Sequence, residues 1–128
     1  MIKNNFGRIV GISSLTSKIA LNNISAYACS KGGFEQLIKS VSLELSEFNI
    51  TANTINPGRI STNMTSDLVE DSKSYNSIKS RIPKARFGKP EDLLTAVDFL
   101  ISENSSYITG ESITIDGGWM SSGGNPIL

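Results

Sequence analysis

The sequence predicts an α/β fold built on a parallel sheet, and three observations carry that expectation. Short apolar runs alternate with stretches of helical periodicity in the order strand, helix, strand, helix, strand. The runs end in small or turn-forming residues, Ser13-Ser14, Pro57-Gly58 and Gly117-Gly118, as strands do when their C-terminal ends open into a ligand site. Crossovers through the intervening helices are right-handed in such chains, which makes the strands parallel.

The first strand is predicted at Arg8–Ser13, an apolar run of the kind that fills a buried parallel strand. A loop rich in Ser, Thr and Asn follows, and then a helix from Ser25 to Phe48. Its expected buried stripe is Phe34, Leu37, Ile38, Val41, Leu45 and Phe48, spaced by three and four, with Glu35 and Lys39 paired elsewhere on the surface. The second strand, Thr51–Asn56, is stopped by Pro57-Gly58. From Arg59 to about Gly88 no long apolar grouping occurs. A segment of that length in a compact domain is usually a lid or binding loop, and it has room for a short helix. Pro90 opens the second helix, Glu91 and Asp92 complement its positive end, and Leu93, Val97, Leu100 and Ile101 mark its expected buried face. The last strand is Ser112–Asp116, and the tail from Ser121 to Pro126 reads as loop. Three strands and two helices leave one sheet edge and one sheet face poorly covered, so the pattern reads as half of a larger unit.

Composition removes several functions. The chain has 128 residues, enough for one domain and too few for two. Lys+Arg 12 balances Asp+Glu 12 with no basic stripe, so no nucleic-acid partner is expected. The apolar runs are far too short to span a bilayer, and the N-terminus has no secretory pattern. With His 0 and Cys 1, a Cys/His zinc site and any His-dependent nucleophile are excluded. The lone Cys29 cannot form a disulfide within the chain, in keeping with a cytoplasmic location.

Chemistry therefore falls to Tyr, Lys, Ser, Asp or Glu. Tyr27 and Lys31 are four apart near the start of the long helix and so share a face. A phenol is a poor acid or base near neutrality because it titrates near 10, and an adjacent ammonium favours its ionised form. Ser14 stands thirteen residues before Tyr27 at the end of the first strand, where its hydroxyl can hydrogen-bond the same substrate oxygen. Gly32 and Gly33 follow Lys31 inside the helix at a cost in helix propensity, which suggests close approach of a cofactor or a partner helix.

Five segments together resemble the short-chain dehydrogenase/reductase family. They are Gly7-Arg8-Ile9-Val10-Gly11-Ile12-Ser13-Ser14, Tyr27-Ala28-Cys29-Ser30-Lys31, Ile50 through Pro57-Gly58, Arg86-Phe87-Gly88-Lys89-Pro90-Glu91-Asp92, and Thr109 through Gly118. The Pro57-Gly58-Arg59-Ile60-Ser61-Thr62-Asn63-Met64 run is most similar to 3-oxoacyl-acyl-carrier-protein reductases. The resemblance implies a doubly wound, Rossmann-type domain and hydride transfer between NAD or NADP and a small-molecule carbonyl/alcohol pair, possible substrates including a 3-oxoacyl thioester. By the same resemblance Ser14 orients the substrate oxygen, Tyr27 is the general acid or base, and Lys31 assists Tyr27 and holds the nicotinamide ribose. Pro57, Gly58, Ile60 and Thr62 match the stretch that meets the nicotinamide, and residues 59–88 match the substrate-binding loop. A dimer or tetramer of identical chains, without a membrane partner, is implied as well.

The sequence also departs from the family. It contains no Gly-x-Gly-x-x-Gly and no Gly-x-x-x-Gly-x-Gly, the turn that cradles the pyrophosphate, and no counterpart of the family's upstream catalytic asparagine. The expectation is therefore that residues 1–128 are the C-terminal catalytic portion of a single Rossmann-type domain whose Gly-rich N-terminal half is absent, and that the chain alone is inactive. The alternative is a non-catalytic half-domain that acts only in association.

Overall fold

A computed structural model describes residues 1–126, so the last two residues of the predicted domain lie outside the described range. The chain divides into two compact units, Met1–Asn56 with Thr95–Thr114, and Pro57–Leu94 with Ile115 onward.

In the first unit, β1 (Gly7–Ile12) and β2 (Ile50–Pro57) pair in parallel, from Gly7 opposite Ile50 to Ile12 opposite Ile55. β3 (Ser112–Ile115) completes the sheet order β1-β2-β3. Across β2 and the approach to β3, Gly110 N–H reaches the Ala52 carbonyl and Thr54 N–H reaches that of Glu111, both at 2.8 Å. Partners rise together along both segments, as in a parallel pair. All three strands lie within a residue of their predicted limits.

The middle strand is buried from Ile50 to Asn56 although half of its residues are polar. Asn53 and Thr54 supply bonds that burial demands. Asn53 donates to the Ile108 carbonyl at 2.8 Å and accepts from Glu111 N–H at 3.0 Å, while the Thr54 and Ser112 hydroxyls lie 2.8 Å apart.

Helix α1 runs Ser25–Glu44, ending before the predicted Phe48. Its continuation tightens into i→i+3 bonds, Ser46 N–H to Leu43 and Phe48 N–H to Leu45, which close a turn before β2. The predicted stripe needs correcting at Leu37, which is 55% exposed. The face that packs down carries Phe34, Ile38 and Ser42, and it also carries Glu35, only 7% exposed. Glu35 is drawn in because Asn56 and Ser112 offer hydrogen-bond donors to its carboxylate. It still pairs with Lys39, at 3.8 Å, so the ion pair sits at the edge of the buried face rather than away from it.

The predicted second helix begins as a 3-10 turn, Pro90–Leu93, and continues as a regular helix over Leu94–Ile101. Within the first unit Leu100 is fully buried and Val97 partly so, but Ile101 is 47% exposed, contrary to expectation. Leu100 is on the buried side of the helix, and its neighbour is turned away by the helical rotation.

In the second unit the stretch from Arg59 to Gly88 contains α2 (Ser66–Glu70) and α3 (Ser72–Lys79). Asp71 caps α3 by accepting from Lys73 N–H at 3.1 Å. The small core of this unit is Ile82, Phe87 and Trp119, with the Tyr75 ring 4.8 Å from that of Phe87. Gly118, at φ 93, lies where a Cβ would come within 2.9 Å of Pro83. Only glycine meets both demands.

Candidate active site

The C-terminal end of β1 and the first turns of α1 bring Ser14, Tyr27 and Lys31 into the first unit. Ser14 has extended backbone and caps the 3-10 turn Leu15–Ser17. Its buried Oγ accepts from Thr16 N–H at 3.2 Å and from the Thr16 hydroxyl at 3.0 Å. With both contacts using Ser14 as acceptor, its own O–H is left to donate.

Tyr27 sits in the first turn of α1 and is 41% exposed. The Lys31 ammonium lies 5.7 Å from the centre of the Tyr27 ring and donates to the Ile12 carbonyl at 3.0 Å. One turn of helix thus holds a phenol and a cation on one face, and the cation is fixed to the end of β1. A second tie runs the other way, from the Ser13 hydroxyl to the Lys31 carbonyl at 3.1 Å. Gly32 has only the Ser17 carbonyl, at 3.9 Å, near the position a Cβ would take, and Gly33 has nothing within 4 Å. No close packing within the first unit accounts for either glycine.

Beneath this constellation lies a polar network that the periodicity did not reveal. The Ser17 hydroxyl donates to the Ser14 carbonyl at 2.8 Å. Asn56, fully buried, donates to Ser17 Oγ and to Glu35 Oε2, each at 3.2 Å. Burial pushes the Glu35 carboxyl up, but hydrogen bonds from Ser112 and Asn56 and the charge of Lys18 hold it below its ordinary 4.5. The available signal was a carboxylate set between Phe34 and Ile38, on the face that also carries Tyr27 and Lys31 at steps of four.

The remaining predicted residues, Pro57, Gly58, Ile60 and Thr62, belong to the second unit. Gly58 N–H bonds the Ile115 carbonyl at 2.9 Å, Ile60 bridges to Gly88, and Thr62 N–H donates to Thr65 Oγ1 at 2.9 Å. Within this unit Arg59, Ile60, Lys84 and Asp116 are among the residues lining a cavity of about 180 Å³. Arg86, also at its wall, forms a two-pronged bond with Asp92 at 2.7 and 2.8 Å, which with Lys89 N–H holds that carboxyl well below its usual range.

The family described as enoyl-(acyl carrier protein) reductase matches residues 1–120, almost the whole chain. The chain belongs to the short-chain dehydrogenase/reductase family. It is 34% identical over 127 residues to a 2-dehydro-3-deoxy-D-gluconate 5-dehydrogenase of Formosa agariphila, a match covering 98% of this chain and 48% of that protein. A 3-oxoacyl-acyl-carrier-protein reductase of Rickettsia conorii is 41% identical over 120 residues, covering 94% of this chain and 49% of the relative. Among solved structures, a gluconate 5-dehydrogenase from Burkholderia cenocepacia in complex with NADP and tartrate superposes with a TM-score of 0.90 at 32% identity, over 94% of this chain and 47% of that one. The chain spans about half the length of the curated relatives it matches. The α/β fold with its parallel sheet is that of these Rossmann-type proteins. Among the described residues no helix is long and apolar enough to cross a membrane.

Proposed function

We propose that the chain carries the proton-transfer machinery of an NAD- or NADP-dependent oxidoreductase acting on a small carbonyl/alcohol pair. The observation that carries this reading is the exposed Tyr27 beside Lys31, whose ammonium is anchored to the strand end next to Ser14. In reduction the Tyr27 hydroxyl gives its proton to the substrate oxygen, and in oxidation it takes that proton back. The free O–H of Ser14 donates to the same oxygen and fixes its direction.

The donor set suits the nicotinamide-ribose end of a dinucleotide. Lys31 spends one N–H on Ile12 and keeps two for ribose hydroxyls, and Pro57, Gly58, Ile60 and Thr62 are the residues proposed for the nicotinamide itself. When bound, the cofactor supplies the hydride chemistry at the substrate carbon. The relatives named above are a keto-sugar-acid dehydrogenase and a 3-oxoacyl reductase, so a 3-oxoacyl thioester is one candidate within the wider carbonyl/alcohol class. Residues 59–88 are the proposed substrate-binding loop, and 1–128 the proposed catalytic portion of one domain. Exposed Leu37 and Leu43 on α1 support a homo-oligomeric whole protein, dimer or tetramer, and the single exposed Cys29 supports a reducing, cytoplasmic setting.

The test is turnover of the whole protein carrying this segment, with NADH and NADPH. Tyr27→Phe keeps the ring and removes the proton, so kcat should fall about 10²-fold or more with the circular dichroism unchanged. Retention of more than about a tenth of the turnover would place the proton donor elsewhere.

A further inference from the structure

Building on the proton-transfer reading, we propose that Ser17 and Asn56, anchored by Glu35, are positioning residues that lock the Ser14 turn to the helix bearing Tyr27 and Lys31. The direction of every bond in the chain is set by chemistry. The Ser17 hydroxyl gives its only proton to the Ser14 carbonyl, so its oxygen is the acceptor for Asn56. The second N–H of Asn56 goes to Glu35 Oε2. The reversed amide would set an oxygen against a carboxylate, so Asn56 has one workable orientation. That orientation leaves Asn56 Oδ1 buried without a hydrogen bond among the described residues. An unpaired buried acceptor is unfavourable, so the side chain is kept there for what its nitrogen holds.

The Ser14 hydroxyl takes its orientation from Thr16, and Thr16 sits in the 3-10 turn that Ser17 closes. Glu35 lies one helical turn beyond Lys31 and two beyond Tyr27 on the same face. One helix therefore presents the acid–base pair and also, through Asn56 and Ser17, holds the turn that aims the serine. Lys31 to Ile12 and Ser13 to Lys31 brace the strand end on the other side.

Kinetics of the whole protein test this. Ser17→Ala should lower kcat about tenfold to a hundredfold, the penalty of a misaimed hydroxyl, with cofactor KM unchanged. Ser17→Thr, which restores the hydroxyl, should recover most of that loss. Because Ser17 acts through Ser14, Ser14→Ala with Ser17→Ala should be no slower than Ser14→Ala alone. Glu35→Gln gives a second measure that does not depend on the Ala variant folding well. Its smaller loss should likewise vanish in the Ser14→Ala background. Additive losses in these pairs, or wild-type kcat in Ser17→Ala, overturn the proposal. Tyr27→Phe assayed alongside separates the two levels. If Tyr27→Phe stays active, the proton-transfer reading fails on its own, and the Ser14–Ser17 coupling still decides this inference.

Discussion

Glu35 shows how a single residue can contradict the pattern around it and still be stable. A carboxylate on a buried helix face is costly unless its oxygens are matched, and Ser112 and Asn56 match them. Because the folded carboxyl titrates below its ordinary 4.5, the ionised form favours the folded state. That contribution is complete above the unfolded value and is lost as pH falls through the folded one. Glu35→Gln should therefore be less stable than wild type near neutrality, with the gap closing as pH drops below about 4.5. Urea unfolding midpoints at neutral and at acid pH measure this; a gap that does not change with pH sinks it. The same residue marks the limit of the sequence reading. Ser14, Tyr27 and Lys31 were legible because motif and position agree, and the fold gathers them in one unit. Glu35, Asn56 and Ser17 were not, since the bonds that join them to one another and to Ser112 span 21 to 77 positions and no local spacing encodes them. Leu37 was misassigned because the buried face is rotated toward Glu35 and Ser42, which leaves Leu37 beyond its opposite edge.

At the scale of elements, the contact of α1 with β1 depends on Gly11. A Cβ there would come within 2.7 and 2.8 Å of the Phe34 ring and 3.4 Å of Ile38. A ring on a helix cannot swing aside like the end of a flexible chain, so the helix itself would have to move. Gly11→Ala should cost about 1–3 kcal/mol of stability, the usual penalty for overpacking. Denaturant unfolding gives the figure, and a loss below about 0.5 kcal/mol would mean the helix yields freely. Phe34→Leu in the Gly11→Ala background should return part of the loss by making room. The strands and the core of α1 were read correctly because alternation of element types is a long-range regularity. The helix end at Glu44 and the division of residues 59–88 into α2 and α3 were less visible. Both are settled by turn geometry, and polar residues such as Asp71 specify a cap only once the chain is bent.

For the whole molecule, the informative comparison is between what the site residues address and what a dinucleotide offers. In this fold class the pyrophosphate is held by backbone N–H groups of a Gly-rich turn and the helix end behind it, and these supply much of the affinity. The 128-residue sequence contains no such turn. Tyr27, Lys31, Ile60 and Thr62, if they act as proposed, address only the nicotinamide end. The sheet order also leaves β1 with a single strand neighbour, β2, so one row of its backbone donors and acceptors is unpaired within the described sheet. The 128-residue chain produced by itself should therefore self-associate and bind NADH or NADPH no more tightly than about millimolar. Free energy explains the scale: a micromolar constant requires about 8 kcal/mol, and nicotinamide-end contacts alone leave the phosphates unmatched. Calorimetric titration of the purified, folded chain with each cofactor measures this directly, and sedimentation velocity reports the association state. Saturable binding at micromolar affinity would show that this half of the family's fold holds a dinucleotide by contacts other than the Gly-rich turn, and would move the cofactor site away from Tyr27 and Lys31.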